Sequence, residues 1–371
     1  MPTAFALTSV AKPLLAMDVG LAKGLLALLP LVSNIAQILL RPVFGVLSDR
    51  IGRKLFISLA IIFYFLSYLV QAFARTALDI ILASFLVGVG VSMLWTTLMA
   101  YTSEISSEPK EEISMLFTIS FAGAVFGSLL SGVIAENMGW RPTFLISAFI
   151  TLIAFLLASI TLRESLRTRT STPFRRSLKQ SANIAFKTTL KVNSIGLKPV
   201  LRTYIPVILI DGGLSQTIAG FVLTLDSVIT SAMQRPSAKL STKKWFSMKL
   251  INVSGLLSLV LFGMLATNNL LGLAILSYLM YSGLSGLLPT PQLTEATETM
   301  RGKGSGAGGF GVGLSSSRLL ASTVASLGGG LIDIGISPSI VAIETAVFFL
   351  LFVSMLGIFV FSKDSNENSY N

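Results

Sequence analysis

The sequence predicts an all-α membrane protein of about twelve transmembrane helices, arranged as two six-helix bundles with pseudo-twofold symmetry. Three observations predict this fold class: a shortage of charged residues, a series of apolar segments of membrane-spanning length, and an internal repeat. Of the 371 residues, 53% are hydrophobic and 12% are charged, which is about half the charged share of a soluble domain. Such a chain cannot cover its surface with polar groups, so most of that surface must face lipid.

The composition also excludes several kinds of chemistry. The chain contains no cysteine and no histidine. It therefore lacks disulfides, thiol nucleophiles, thiolate and imidazole metal ligands, and the histidine of a Ser-His-Asp triad. We expect no enzyme activity, no cofactor and no metal site, because a membrane enzyme of this composition would need a carboxylate or serine mechanism that the sequence does not show.

Apolar segments of membrane-spanning length follow one another along the chain. A bilayer core about 30 Å thick requires about 20 apolar residues in a helix that rises 1.5 Å per residue. Two weaker candidates lie near 1–18 and 196–212. Clear candidates lie near 24–46, 55–75, 77–99, 114–135, 142–162, 217–238, 249–266, 270–290, 308–332 and 339–361. The first of the twelve is short, and we expect the recorded chain to begin inside a truncated helix one.

The long polar stretch at 163–195 divides the spans into two sets of six. We expect an N-terminal bundle at 1–162, a basic cytoplasmic linker at 163–195 and a C-terminal bundle at 196–371. With the linker in the cytoplasm, about 23 of the 28 Lys and Arg residues lie on that side. This bias follows the positive-inside rule and predicts a multi-pass protein of the cell membrane with both termini cytoplasmic. It also accounts for the net charge of +11 without nucleic acid as a partner.

An internal repeat supports the division into two sets. Residues 13–24 (PLLAMDVGLAKG) align without a gap to residues 206–217 (PVILIDGGLSQT), at an offset of 193. The aligned pairs include Asp18 with Asp211 and Gly20 with Gly213. Duplication of a six-helix unit explains the shared offset, and internal repeats are typical of secondary transporters.

The segment GVLSDRIGRK at 45–54 lies between the second and third predicted spans. It resembles the loop signature of the Major Facilitator Superfamily, in which a glycine, an aspartate and a basic cluster join helices two and three. The resemblance extends over the whole chain through the twelve spans, the long central loop and the repeat. It implies a gating role for seven residues: Gly45, Asp49, Arg50, Gly52, Arg53, Lys54 and Glu104.

The same resemblance implies specific contacts for this motif. The family's aspartate faces the N-terminus of helix eleven, so Asp49 is expected to face the glycine-rich segment at 302–309. The family's basic residue pairs with an acid at the base of helix four, so Arg53 is expected to pair with Glu104. The alternative is a loop whose charges only anchor it at the cytoplasmic surface.

The fifth predicted span carries Gly123, Gly127 and Gly132 within the run GAVFGSLLSG. This run resembles the glycine-rich helix-five signature of proton-coupled efflux members of the family, although Ser128 stands where a proline is usual. The alternative is that these glycines serve only the close packing of helices through small residues.

Ionisable residues inside the membrane are costly and therefore mark candidate functional positions. Asp226 falls near the middle of the eighth span and Arg318 falls inside the eleventh, and we expect them to pair and to serve substrate binding or proton coupling. Lys12 on helix one is a further candidate substrate contact. A purely structural ion pair is the alternative. Asn34 and Gln37 on the second span fit a polar cavity and tight packing equally well.

From the residues and the resemblance together we expect a monomeric secondary active transporter that moves a small organic solute by alternating access. Proton-coupled efflux, which is antiport, is the leading form, with the solute, protons and the lipid bilayer as partners. Two alternatives stay open: an uptake carrier for a sugar or carboxylate-type metabolite, and a degenerate, non-transporting membrane sensor or scaffold. Lys198 and Arg202 in the seventh span, and Thr242 in place of the motif aspartate in the second repeat, favour the scaffold.

Overall fold

The computed structural model describes residues 2–105, 109–165, 197–240, 248–288, 322–326, 343 and 346–348. Within these ranges the chain is helical apart from short turns. The first ten predicted spans fall on helices, whereas residues 166–196 and most of spans eleven and twelve lie outside the described residues. The helices are α1 (Pro2–Leu7), α2 (Ala11–Asp18), a 3-10 helix (Lys23–Ala27), α3 (Leu28–Ile51), α4 (Arg53–Phe73), α5 (Ala77–Ile105), α6 (Pro109–Met138), α7 (Trp140–Thr161), α8 (Leu197–Asp211), α9 (Gln216–Leu240), α10 (Met248–Thr267) and α11 (Leu271–Gly286).

The helices have the length and surface of membrane-spanning segments. Six of them are long and apolar enough to cross a bilayer, among them Arg53–Phe73, Ala77–Thr102 and Trp140–Thr161. The outward face of α7 shows what covers this surface, because its large apolar side chains are strongly exposed. Leu145, Phe149, Leu156 and Ile160 are between 45% and 82% exposed. An apolar face of this extent requires lipid as its solvent.

Two opposite ends of the molecule are defined by contacts between turns, and they are called here the Lys23 end and the Arg53 end. At the Lys23 end, the start of the 3-10 helix meets the end of α8 through an ion pair between Lys23 and Asp211. At the Arg53 end, the α3–α4 turn meets the ends of α5 and α7 through contacts of Arg53 with Glu104 and Glu164. Successive helices therefore run antiparallel between two defined faces.

The internal repeat is visible in the backbone at the ends of α2 and α8. Gly20 has a φ of +92° and Gly213 a φ of +90°, a conformation that favours glycine. Each of their N–H groups bonds to the carbonyl three residues earlier, at 3.0 and 2.9 Å. The N–H group of the following residue bonds five residues back, at 2.9 and 3.0 Å. Both helices thus end in the same Schellman-type turn, 193 residues apart in the sequence, as expected for repeated halves.

The glycines of α6 allow it to approach α1 and α9 closely. An added Cβ atom at Gly123 would lie 2.6 Å from the hydroxyl of Thr3 in α1, and one at Gly127 would lie 2.4 Å from the Thr3 carbonyl oxygen. An added Cβ at Gly132 would lie 2.4 Å from a backbone oxygen of α9, and one at Gly220 would lie 2.9 Å from the Cα of Gly132. The α6–α9 crossing joins the N-terminal half of the chain (α1–α7) to its C-terminal half (α8 onward).

The first span is interrupted between α1 and α2. The N–H group of Val10 donates to the Ser131 hydroxyl of α6 at 3.0 Å, and the Thr8 hydroxyl donates to the carbonyl of Phe5 at 2.8 Å. The hydroxyl of Ser9 is buried and finds no hydrogen-bond partner within the described ranges. Helix one therefore consists of two short helices joined by a buried, irregular turn.

Candidate functional site

The motif at the Arg53 end is organised around the guanidinium of Arg53. The segment predicted as a loop is helical except at Gly52, whose φ of +141° separates α3 from α4. The Arg53 side chain is 8% exposed and contacts Asp49 at 2.5 Å and Glu104 at 3.0 Å. Its Nη1 atom also donates to the Ser48 hydroxyl at 2.7 Å. The structure thus places Arg53 against the acid that the resemblance implied, and adds an aspartate one helical turn earlier.

Glu164 supplies a second carboxylate to this motif. Its Oε1 atom accepts the N–H group of Arg53 at 2.7 Å, and its Oε2 atom accepts the N–H group of Lys54 at 3.3 Å. A carboxylate at this position satisfies donors at the N-terminus of α4 and interacts favourably with the helix dipole. An added Cβ atom at Gly52 would lie 2.4 Å from Oε2, so the contact depends on glycine there. Glu164 falls within the predicted linker at 163–195 and had no predicted role.

The remaining motif residues occupy the same end. Gly45 is buried in α3 and its carbonyl accepts the Ser48 hydroxyl at 2.9 Å. Arg50 lies in the last turn of α3, and the Lys54 ammonium donates to a carbonyl of α7 at 2.9 Å. Asp49 is 40% exposed. Its expected neighbour, the segment 302–309, lies outside the described residues.

The two halves of the chain also meet at the Lys23 end. The Lys23 ammonium lies 2.8 Å from both carboxylate oxygens of Asp211, with the two side chains 43% and 37% exposed. Nearby, the Tyr204 hydroxyl of α8 donates to the carbonyl of Gly24 at 3.1 Å and accepts the N–H group of Ala27 at 3.2 Å. These contacts hold the 3-10 helix against α8.

A second contact between the halves lies where α6 ends and α9 begins. The Glu136 carboxylate accepts the N–H group of Thr217 at 2.7 Å. Thr217 is in the first turn of α9, where a carboxylate satisfies a free backbone donor and the helix dipole favours a negative charge. Among the described residues, an exposed ion pair and several hydrogen bonds therefore join the two halves at the Lys23 end.

A charged cluster lies in the interior, between α8 and α9. Asp226 is fully buried, and its two carboxylate oxygens lie 2.7 Å from the Lys198 ammonium and 3.5 Å from Nε of Arg202. The Lys198 ammonium also contacts the Thr230 hydroxyl. Lys198 and Arg202 are spaced four residues apart on α8, so both project from one face of that helix. These three residues are called the Asp226 cluster below.

Arg202 connects the Asp226 cluster to the N-terminal half of the chain. Its Nη2 atom donates to the Ser227 hydroxyl at 2.8 Å and to the Ser128 hydroxyl of α6 at 3.3 Å. Ser128 is the residue that stands in place of the proline of the helix-five signature. A proline there would offer no hydroxyl to Arg202, so this departure from the signature creates a polar contact between the halves.

The cluster lies near half the depth of the membrane. Asp226 is ten residues from the start of α9, and Ser128 is ten residues from the end of α6. At 1.5 Å per residue, both lie about 15 Å from the Lys23 end, which is about half of a 30 Å bilayer core. Arg202 and the interruption of helix one at Thr8–Val10 lie at nearly the same depth by the same measure.

A ladder of polar side chains follows the interior face of α3. The Asn34 amide donates to the Ser322 hydroxyl at 3.2 Å, and the Gln37 amide nitrogen approaches the Asn34 side-chain oxygen at 3.4 Å. The Arg41 guanidinium donates to the Gln37 side-chain oxygen at 2.9 Å, and Arg41 is only 4% exposed. Arg41 falls within the predicted span at 24–46 and was not among the candidate residues. Its spacing of four from Gln37 and seven from Asn34 was the available sign that it shares their face.

The structure gives Asp226 two partners that were not predicted for it, and it does not test the predicted pair with Arg318. Arg318 lies outside the described residues, while Lys198 and Arg202 contact the carboxylate directly. The two basic residues that favoured a degenerate protein are thus charge partners of the buried acid. Lys12 lies in the first turn of α2, two residues after the interruption of helix one, and forms no ion pair with any described carboxylate.

This fold and its interior charges define a multi-pass α-helical membrane protein built from two repeated halves. The family model of the Major Facilitator Superfamily matches residues 1–322. The chain belongs to the Major Facilitator Superfamily, a family of membrane transporters.

Individual relatives are distant and match over parts of their length. The chain is 23% identical over 238 residues to an uncharacterized MFS-type transporter of Methanocaldococcus jannaschii, covering 61% of this chain and 60% of that protein. It is 29% identical over 154 residues to the methyl viologen resistance protein SmvA of Salmonella typhimurium, covering 40% of this chain and 31% of that protein. The chain therefore spans less than two thirds of the curated relatives that it matches.

Among solved structures, the crystal structure of a D-xylose-proton symporter superimposes with a TM-score of 0.70. The superposition covers 95% of this chain and 94% of the symporter, at 16% sequence identity. Identity this low shows a shared fold. It confirms the predicted fold class of an all-α protein with the two-bundle plan of the family.

Proposed function

We propose that this chain is a secondary active transporter that exports a small organic solute by alternating access, and that the Asp226 cluster is part of its transport site. The cluster carries the proposal because it places a fully buried carboxylate and two cations near half the membrane depth. Ionisable residues at this depth destabilise the protein and therefore mark functional positions. The cluster also contacts α6, so it lies where the two halves would move past each other. Transporters of this kind hold their sites at the repeat interface near the midplane.

The conformation described supports one end-state of such a cycle. Contacts between the halves at the Lys23 end include the ion pair of Lys23 with Asp211, while the Arg53 motif ties helices of the N-terminal half to one another. With the basic linker in the cytoplasm, the Lys23 end is external and the proposed state is closed to the outside. The domain limits, the cytoplasmic termini, the gating role of the Arg53 motif and the monomeric state belong to this proposal.

The direction of transport is proposed from the relatives. Two relatives are named for resistance, the methyl viologen resistance protein of Salmonella typhimurium and multidrug resistance protein 1 of Bacillus subtilis. Resistance proteins of a transporter family act most simply by export, which supports efflux here. Proton coupling through Asp226 is the finer part of the proposal, because a buried carboxylate that changes partners during the cycle can gain and lose a proton.

The test is solute flux in proteoliposomes that contain the purified chain, with a pooled solute panel and with or without an imposed pH gradient. Gradient-driven flux that is lost in Asp226→Asn supports a proton-coupled carrier. Flux that ignores the gradient indicates a facilitator and removes the proton from the proposal. No flux of any solute, from protein that is folded and inserted, overturns the proposal in favour of a sensor or scaffold. Asp18→Asn is the matched control, because Asp18 is exposed and belongs neither to the Asp226 cluster nor to the Lys23–Asp211 pair.

A further inference from the structure

The charge of the Asp226 cluster is unbalanced. It combines one carboxylate with two cations, so its net charge is +1 when all three residues are ionised. Asp226 is 0% exposed, while the Lys198 and Arg202 side chains are 19% and 26% exposed. No further carboxylate of the described residues pairs with the two cations, and a net charge at this depth is unfavourable in a medium of low dielectric constant. A bound group with one negative charge would bring the cluster to neutrality.

Arg202 retains unused donors toward such a group. Its Nη2 atom is committed to Ser128, Ser227 and the Leu223 carbonyl, the last at 3.3 Å. Its other terminal nitrogen, Nη1, makes no hydrogen bond with any part of the chain that the structure describes. A guanidinium presents its donors as a planar fork that matches the oxygens of carboxylates, sulfonates and phosphates. The residue with the greatest exposure in the cluster is therefore also the one suited to an oxyanion.

The turn in helix one adds further polar groups at the same depth. The Val10 N–H group is held by Ser131, which lies one turn of α6 from Ser128. Ser128 contacts Arg202, so the interruption of helix one and the cluster are both bonded to serines of one segment of α6. The buried Ser9 hydroxyl has no hydrogen-bond partner among the described residues. Irregular backbone at membrane depth occurs where it is buried in protein or lines a cavity, and interrupted helices mark the binding sites of several transporter folds.

A further unused hydroxyl near the cluster belongs to Tyr278. Tyr278 on α11 is fully buried and lies within the electrostatic range of both Asp226 and Arg202. Its hydroxyl makes no hydrogen bond inside the described ranges. The Tyr278 hydroxyl is therefore a spare donor near Arg202, and no second carboxylate of the described residues pairs with the two cations. This environment favours an anion and disfavours an organic cation.

We propose that the solute carries a single negative charge, as a carboxylate, sulfonate or phosphate diester, and that Arg202 binds this group beside Lys198. The proposal rests on the transport function proposed above and names the substrate class of the same site. Anion binding neutralises the cluster while Asp226 stays ionised. A neutral solute leaves the net charge in place, and a cation raises it.

The test uses the purified full-length chain in lipid nanodiscs and measures the thermal unfolding midpoint with three probes that share one ring. These are benzenesulfonate, benzyl alcohol and benzyltrimethylammonium, with benzoate as a second anion. We expect at least one anion to raise the midpoint, whereas the alcohol and the cation leave it unchanged. A midpoint raised by the cation, or by none of the anions, overturns the proposal.

Arg202→Gln is the decisive variant, because it leaves the Lys198–Asp226 pair intact and electrically balanced. We expect it to weaken anion binding by about thirty-fold or more, since one partner of a desolvated charge contact is removed. Arg75→Gln, an equal change of charge at an exposed position, should bind anions as the parent does. Undiminished anion binding by Arg202→Gln contradicts the proposal. If Arg202→Gln does not fold, Lys198→Gln takes its place, because it also removes one positive charge from the cluster. Weakened anion binding by Lys198→Gln supports the proposal, and undiminished binding contradicts it.

The outcome separates this inference from the transport proposal. Flux that is confined to cations or neutral solutes overturns the anion site and leaves the carrier function standing. Anion binding that depends on Arg202, from protein that moves no solute, supports the anion site and removes the carrier function.

Discussion

The largest energetic effect that the structure predicts is the loss of the buried charge in Asp226→Asn. This change leaves Lys198 and Arg202 as two neighbouring cations in the interior with no acid between them. Removing one partner of a buried ion pair costs about 3–5 kcal/mol. Because the two cations are 19% and 26% exposed, we expect a value near 3 kcal/mol, at the lower limit of this range.

Asp211→Asn provides the matched comparison. It makes the same chemical change in an ion pair whose side chains are 43% and 37% exposed. Exposed pairs contribute about 0.2–1 kcal/mol, so the expected cost is several times smaller. The assay is thermal unfolding of the purified variants in one detergent, followed by tryptophan fluorescence and by loss of monodisperse protein in size-exclusion chromatography. Equal losses of stability in the two variants would refute the reasoning.

A compensated variant separates charge imbalance from general damage. Asp226→Asn combined with Lys198→Gln and Arg202→Gln removes all three charges of the cluster. Replacing a buried ionic group as a whole by neutral residues is often close to neutral for stability. We expect this triple variant to recover most of the stability that Asp226→Asn loses. A further decrease would show that the hydrogen bonds of the cluster, and not its charge balance, dominate.

Three further predictions concern the contacts that join the helices. Gly132→Ala should destabilise the protein by about 1–3 kcal/mol, because the new Cβ would lie 2.4 Å from a backbone oxygen of α9. Gly255→Ala is the control, because its added Cβ would have its nearest neighbour at 3.6 Å, and it should stabilise the protein by about 0.5–1 kcal/mol. Thermal unfolding measures both changes. Lys23→Asp should shift the population toward a state open at the Lys23 end, as read by spin-label distances across that end, and adding Asp211→Lys should restore the parent distances. Arg53→Gln should slow solute exchange by about 5-fold or more without loss of inserted protein, and an unchanged initial rate would remove the gating role.

The part of the fold that follows from local chemistry was predictable from the sequence. Gly20 and Gly213 share one turn because a helix end with positive φ requires glycine, and the two turns lie 193 residues apart as the alignment indicated. The contact between Arg53 and Glu104 followed from the resemblance of a ten-residue segment. The interruption of helix one was missed, because the Val10 N–H group is satisfied by Ser131, which lies far away in the sequence.

The depth of Asp226 was predictable, and its partners were not. Position within a span gives depth at 1.5 Å per residue, but the sequence alone does not show which neighbouring helix faces the carboxylate. Arg318 was therefore as good a candidate as Lys198 or Arg202. The usable signal was that the latter two share one face of α8 at the depth of Asp226. Glu164 was missed for a related reason. It lies in the predicted polar linker, and the sequence does not show that its carboxylate caps the N-terminus of α4.

Alternating access to the Asp226 cluster is the central claim, and labelling of a single cysteine tests it most directly. The chain has no cysteine of its own, so Ser128→Cys introduces one thiol beside Arg202 at a position that is fully buried in the described conformation. A membrane-impermeant anionic thiol reagent is added separately from each face of oriented vesicles. The account predicts reaction from both faces, with the reaction from the Lys23 end the slower and accelerated by Lys23→Asp. Reaction from one face only, unchanged by that substitution, would contradict alternating access.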